Sequence, residues 1–96
     1  DGHPVAQCTL AKIYELQGNW LMAREWFEKS ARNRRSINGK GVPEAMHSLG
    51  TYYLHGKGEL KPDLQIALAW FRLASRYNHE MALFDAQTLE NAGVVI

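Results

Sequence analysis

The sequence predicts an all-α fold, an α-solenoid of tandem helix-turn-helix pairs with about two and a half repeats and five helices. Three observations predict it. Apolar residues fall at spacings of three and four along five stretches, which puts each set on one helical face. The same pattern then returns in register further along the chain. No segment sustains the period-two alternation of a half-buried strand.

Helices are expected over about 5–17, 20–33, 43–55, 63–77 and 80–92. The first opens after the joint Gly2-His3-Pro4-Val5-Ala6-Gln7 and carries Ala6, Leu10, Ile13 and Tyr14 on its predicted core face. It turns through Gln17-Gly18-Asn19 into the second, whose face is Ala23, Trp26, Phe27 and Ser30. The third follows Gly41-Val42-Pro43-Glu44-Ala45 and presents Ala45, Leu49, Tyr52 and Tyr53. The fourth presents Ala67, Trp70, Phe71 and Ala74, and the fifth, after Asn78-His79-Glu80, presents Ala82, Ala86 and Leu89. At each joint a Gly or Asn, tolerant of positive φ, ends one element. A Pro or an acidic residue then opens the next, and Pro suits a first helical turn because its missing N–H has no partner there.

The register is a duplication. Pro4 and Pro43, Ala6 and Ala45, Leu10 and Leu49, and Tyr14 and Tyr53 are each 39 apart; Ala23 and Ala67, Trp26 and Trp70, and Phe27 and Phe71 are each 44 apart. The extra residues fall in the loop 55–63, where Gly56 and Gly58 can end a helix, Pro62 blocks extension and Asp63 is an N-cap for the next helix. Ala11 and Gly50 hold matching places, small enough for paired helices to approach closely while Trp26 and Trp70 are sealed between them.

The chain has 96 residues, which suits one domain, 1–96, with repeats 3–40 and 42–78 and a partial or capping unit 79–96. Eleven Lys and Arg against ten Asp and Glu leave a net charge of +1, so bulk charge points to neither nucleic acid nor an anionic membrane. The single cysteine, Cys8, excludes an internal disulfide and a cysteine-rich zinc site. No run approaches the roughly 18 apolar residues of a membrane span, so no membrane insertion is expected. The first residues lack the form of a signal peptide and there is no initiating Met, as in a mature or excised chain.

Ala45-Met46-His47-Ser48-Leu49-Gly50-Thr51-Tyr52-Tyr53 resembles the first helix of a Sel-one-like repeat, a branch of the tetratricopeptide-like helical repeats. Gly56-Lys57-Gly58 with Asp63 is similar to that family's loop, and Ala67-Leu68-Ala69-Trp70-Phe71-Arg72-Leu73-Ala74 to its second helix. The likeness covers nearly the whole chain. It is plainest over 43–82 and thinnest over 80–96, where Gln87 and Glu90 stand in place of Gly and Tyr. The resemblance implies a right-handed solenoid and a non-enzymatic protein–protein interaction scaffold or adaptor. It also implies a structural role for His3 and His79 at the joints. Family members are common in bacterial cell envelopes and secretion-linked proteins and also occur in eukaryotic organelles, so the lean is toward the bacterial envelope or periplasm.

Helix-repeat arrays bind on the concave surface of their first helices. The residues turned that way by helical spacing are Cys8, Lys12, His47, Thr51, His55, Phe84 and Thr88, with Phe84 the aromatic anchor for a protein or peptide partner. Phe84 also fits packing into a cap. The segment 29–40 carries five basic residues and no acidic one. Arg32, Arg34, Arg35 and Lys40 there suit an acidic partner or a phosphate backbone, although a solvated turn is the plainer reading and no interleaved aromatics stand ready to stack bases. Nucleic acid is therefore a minor alternative. Another is a structural subunit of a longer array or multi-subunit assembly.

No catalytic, cofactor or metal site is expected. His47 and His55 lie about 12 Å apart along one helix, too far for one ion. No zinc-protease, phosphate-loop or nucleophile-elbow motif occurs. Cys8 with His47 makes a nucleophile and base only on paper, since the sequence shows no orienting acid for the imidazole.

Overall fold

The computed structural model describes residues 3–33 and 41–96. Within them run five α-helices: α1 (Pro4–Leu16), α2 (Trp20–Arg32), α3 (Pro43–His55), α4 (Leu64–Arg76) and α5 (Glu80–Asn91). No strand occurs among the described residues. The expected ends hold to within one residue. Pro4 and Pro43 open α1 and α3, Asp63 caps α4 by accepting from the Ile66 N–H, and Gly56 ends α3 in the left-handed region at φ 74°. Asn19 caps α2 and His79 caps α5 through side-chain acceptors. Capping matters because each side-chain oxygen or nitrogen satisfies a backbone donor that the helix itself leaves orphaned.

Each helix packs on its chain neighbour: α1 on α2, α2 on α3, α3 on α4 and α4 on α5. Side-chain bonds also link α1 to α3 and α3 to α5, so these three helices make one layer and α2 and α4 make the other. The buried residues form one continuous cluster through all five helices. Its largest members are Tyr52, Phe27 and Phe71. Tyr52 of α3 meets Phe27 and Trp20 of α2 edge-on, with centroids 5.7 and 6.1 Å away. A Cβ on Gly50 would lie 2.5 Å from the Phe71 ring, so that glycine is what lets α3 and α4 close on one another.

Two expectations about the core are corrected. Phe27 and Phe71, not the tryptophans, are the sealed aromatics of the helix pairs. Trp26 and Trp70 are half-buried, one helical position away, and each lies under a cation: Lys29 at 4.0 Å from the Trp26 ring and Arg32 at 5.4 Å from Trp70. A broad indole at the edge of the buried stripe keeps one face against the core and gives the other to a charged side chain. On α1 the buried set is Pro4, Gln7, Cys8 and Ala11 instead of Ala6, Leu10, Ile13 and Tyr14. Ile13 stays 46% exposed whereas its counterpart Tyr52 is fully buried. The cover on Tyr52 comes from α2 of the preceding repeat, and no described element stands in that place beside α1.

The loop between α3 and α4 fastens the second repeat to the first. Gly58, at φ 70°, accepts from Arg24 Nε at 2.8 Å, and a Cβ there would meet Arg24 and the Trp20 carbonyl at 2.9 Å. Lys57 stacks its ammonium 4.5 Å from the Trp20 ring. Gly58 thus serves a close approach between repeats, while Gly56 ends α3 and lies against Pro62 and Leu60 of its own loop.

Candidate functional site

The layer of α1, α3 and α5 carries the residues that helical spacing nominated. Lys12 of α1 forms an ion pair with Glu44 at the start of α3, which holds its ammonium pKa above the ordinary value. Glu15, one turn further along α1, accepts from the Tyr52 hydroxyl at 2.8 Å. That bond and the burial of the phenol push the Tyr52 pKa well up, burial contributing most. His47 Nε2 meets Asp85 Oδ2 of α5 at 2.7 Å. Three side-chain rungs therefore cross this layer.

His47 has further neighbours. Its ring stacks on His79 with centroids 4.5 Å apart and planes 19° from parallel, and it tilts over Phe71 at 5.4 Å. His79 in turn accepts from the Ala82 N–H at 3.1 Å through Nδ1, so it is the cap of α5, as the resemblance implied for the joint histidines. His3 caps α1 in the same way through the Ala6 N–H. Burial first, then the neighbouring His47, hold the His79 imidazole below its ordinary pKa; Glu44 and Asp85 oppose them.

The remaining nominated residues separate. Thr51 is half-buried and its hydroxyl returns to the His47 carbonyl at 3.2 Å. His55 and Thr88 are exposed, and Phe84 is 64% exposed. Cys8 is corrected: it is only 4% exposed and belongs to the core, not to the surface. Burial, chiefly, raises its thiol to about 11, so no thiolate is available at neutral pH. His47 does gain an orienting carboxylate, Asp85, that the sequence did not disclose. The charged groups acting on the Cys8 thiol are Glu44, Lys12 and Glu15, and His47 is not among them; the Ser30 hydroxyl donates to the Pro4 carbonyl at 2.7 Å.

Register explains why these three differ. Cys8, His47 and Phe84 are 39 and 37 apart and hold equivalent positions on α1, α3 and α5. The position looks along the layer toward the next first helix. Cys8 is covered, His47 meets Asp85, and Phe84 has no described helix beyond it. Its exposure thus follows from its place in the repeat.

A sequence model of the Sel1 repeat matches residues 21–34 and 43–79, more than half of the chain. The chain belongs to the Sel1 repeat family. No curated protein matches it. Sel1 repeats generally mediate protein–protein interaction on a fold that is typically non-enzymatic.

This Sel1-repeat chain has, among its described residues, no group of three or more His, Cys, Asp and Glu side chains placed to hold a metal ion. No described helix is long and apolar enough to cross a membrane. Of the basic segment, Arg32 is exposed and lies over Trp70, while Arg34, Arg35 and Lys40 lie outside the described residues. What sequence reasoning missed are the acceptors Glu15 and Asp85. Their partners are 37 and 38 residues away, a distance at which no local spacing gives a signal.

Proposed function

We propose that this Sel1-repeat chain is a non-enzymatic scaffold or adaptor, one domain over 1–96, whose α1–α3–α5 face docks a protein or peptide partner. The observation that supports it is the set of three rungs, Lys12–Glu44, Glu15–Tyr52 and His47–Asp85. A face cross-braced in this way loses little conformational freedom when a partner arrives, so more of the contact energy becomes affinity. Partner contacts fall to Lys12, His47, Thr51, His55, Phe84 and Thr88, with Phe84 as anchor. Glu15 and Asp85 face a phenol and an imidazole rather than Lys or Arg, which favours a partner bearing basic side chains.

Phe84 also supports a second reading, a structural part of a larger assembly. A partner helix laid beside α5 in the register that His47 uses would cover it.

Photo-crosslinking distinguishes the faces. A benzophenone side chain placed at Thr88 or at His55 is expected to capture one and the same partner, while one at Ala69, exposed on α4, captures none of it. Phe84→Ala should weaken that capture by about tenfold or more, the loss of one anchor of at least about 1.4 kcal/mol. Capture from Ala69 alone, or capture indifferent to Phe84→Ala, contradicts the proposal.

A further inference from the structure

We propose that His47, His79 and Asp85 form a proton-operated latch that holds α5 against the second repeat at neutral pH and loosens it in acid. The geometry is a joint in which one ring does two jobs. His79 caps α5 by offering the Nδ1 lone pair to the Ala82 N–H at 3.1 Å, and it lies flat against His47 at 4.5 Å. A lone pair that accepts a hydrogen bond is the atom that takes the proton. Protonated, Nδ1 becomes a donor pointed at another donor, and the cap is lost.

The charged surroundings are few and divided. From α3 come His47 and Glu44; from α5 itself come Asp85, bonded to His47, and Glu80, beside His79 in the chain; α4 presents the uncharged Phe71 ring and Ser75. Asp85 is engaged by His47 Nε2, and the His47 ring, stacked 4.5 Å from His79, disfavours a proton on His79. A shallow depression of about 200 Å³, lined by Ser75, Asn78, His79, Glu80 and Leu83, brings water to His79.

The sign follows from linkage. His79 is held below its unfolded value, so its contribution is complete above the ordinary histidine pKa of about 6.5 and is lost as the pH falls through the interval down to its folded pKa. Asn19 is an internal control, since it caps α2 through an amide oxygen that takes no proton in this range, accepting from the Met22 N–H at 3.2 Å. Because α5 carries Phe84 and Thr88, acid would release a partner; that consequence rests on the function proposed above, whereas the latch does not.

Amide hydrogen exchange on the free chain separates the two. On acidification from about pH 7.5 to about pH 5, and after correction for intrinsic exchange, protection of the Ala82–Ala86 amides should fall about three- to tenfold more than that of α2, the scale of losing one side-chain cap. His79→Asn keeps a side-chain cap acceptor but cannot take the proton, so the excess acid loss should vanish while protection at neutral pH is kept. His47→Gln retains a donor to Asp85 and should reduce the acid loss. An equal fall in α2 and α5, or an undiminished fall in His79→Asn, overturns the latch. Neither outcome bears on whether the face binds a partner.

Discussion

Phe71→Ala will cost about 3–5 kcal/mol of folding stability, the range for emptying a fully buried aromatic position. The site has little means of collapsing. Gly50 puts bare helix backbone against the Phe71 ring, so no side chain on that wall can move in to fill the void. Ala67, Leu68 and Ala74 on the same helix are themselves fully buried and already committed to packing. A domain of this size has roughly 5–15 kcal/mol in total, so the variant should sit near the edge of folding. Urea denaturation followed by circular dichroism measures it. A loss under about 1 kcal/mol would mean that Phe71 is not the seal between α3 and α4.

Gly41→Ala is the second large effect, expected at about 2–4 kcal/mol from two independent causes that act together. Gly41 holds φ 98°, a conformation that side chains with a Cβ rarely adopt. An added Cβ would also lie 1.9 Å from the Ala31 carbonyl oxygen, and that atom belongs to the backbone of α2 and cannot rotate aside. The joint between the repeats would have to open, which also pulls Met46 away from its buried place. Thermal melting compared with Gly18→Ala separates the causes, because Gly18 shares the positive φ (75°) but has nothing within 4 Å of its would-be Cβ. Equal shifts in the two variants would show that conformation alone matters and that the close approach to α2 does not.

What was legible in the sequence was local. Pro4, Pro43, Asp63, Gly56 and Asn78 mark their helix ends through their own backbone and side-chain chemistry, and each sits where that chemistry requires. The stripe Ala67, Phe71 and Ala74 needs only helical spacing to be found. What was not legible depended on neighbours. Ile13 and Tyr52 are the same position in the repeat, yet one is covered by α2 and the other is not, so α1 and α3 bury different faces. Trp26 and Trp70 carry the residue type of a core but sit at the margin, where Lys29 and Arg32 cover them. The nominated residues fall on α1, α3 and α5, but the partners of several of them were hidden. Lys12 and His47 read as free surface groups until Glu44 and Asp85 arrive from other helices, and Cys8 read as exposed although it lies in the core.

The account rests on the register that brings α1, α3 and α5 into one layer over the second helices. Nuclear Overhauser contacts from the Tyr52 ring test it most directly. The expected result is cross-peaks to both Phe27 and Trp20 of α2, together with contacts between the His47 and His79 rings. Tyr52 ring protons that see only residues of α3 and α4, with His47 and His79 apart, would contradict the layer and the docking face built on it.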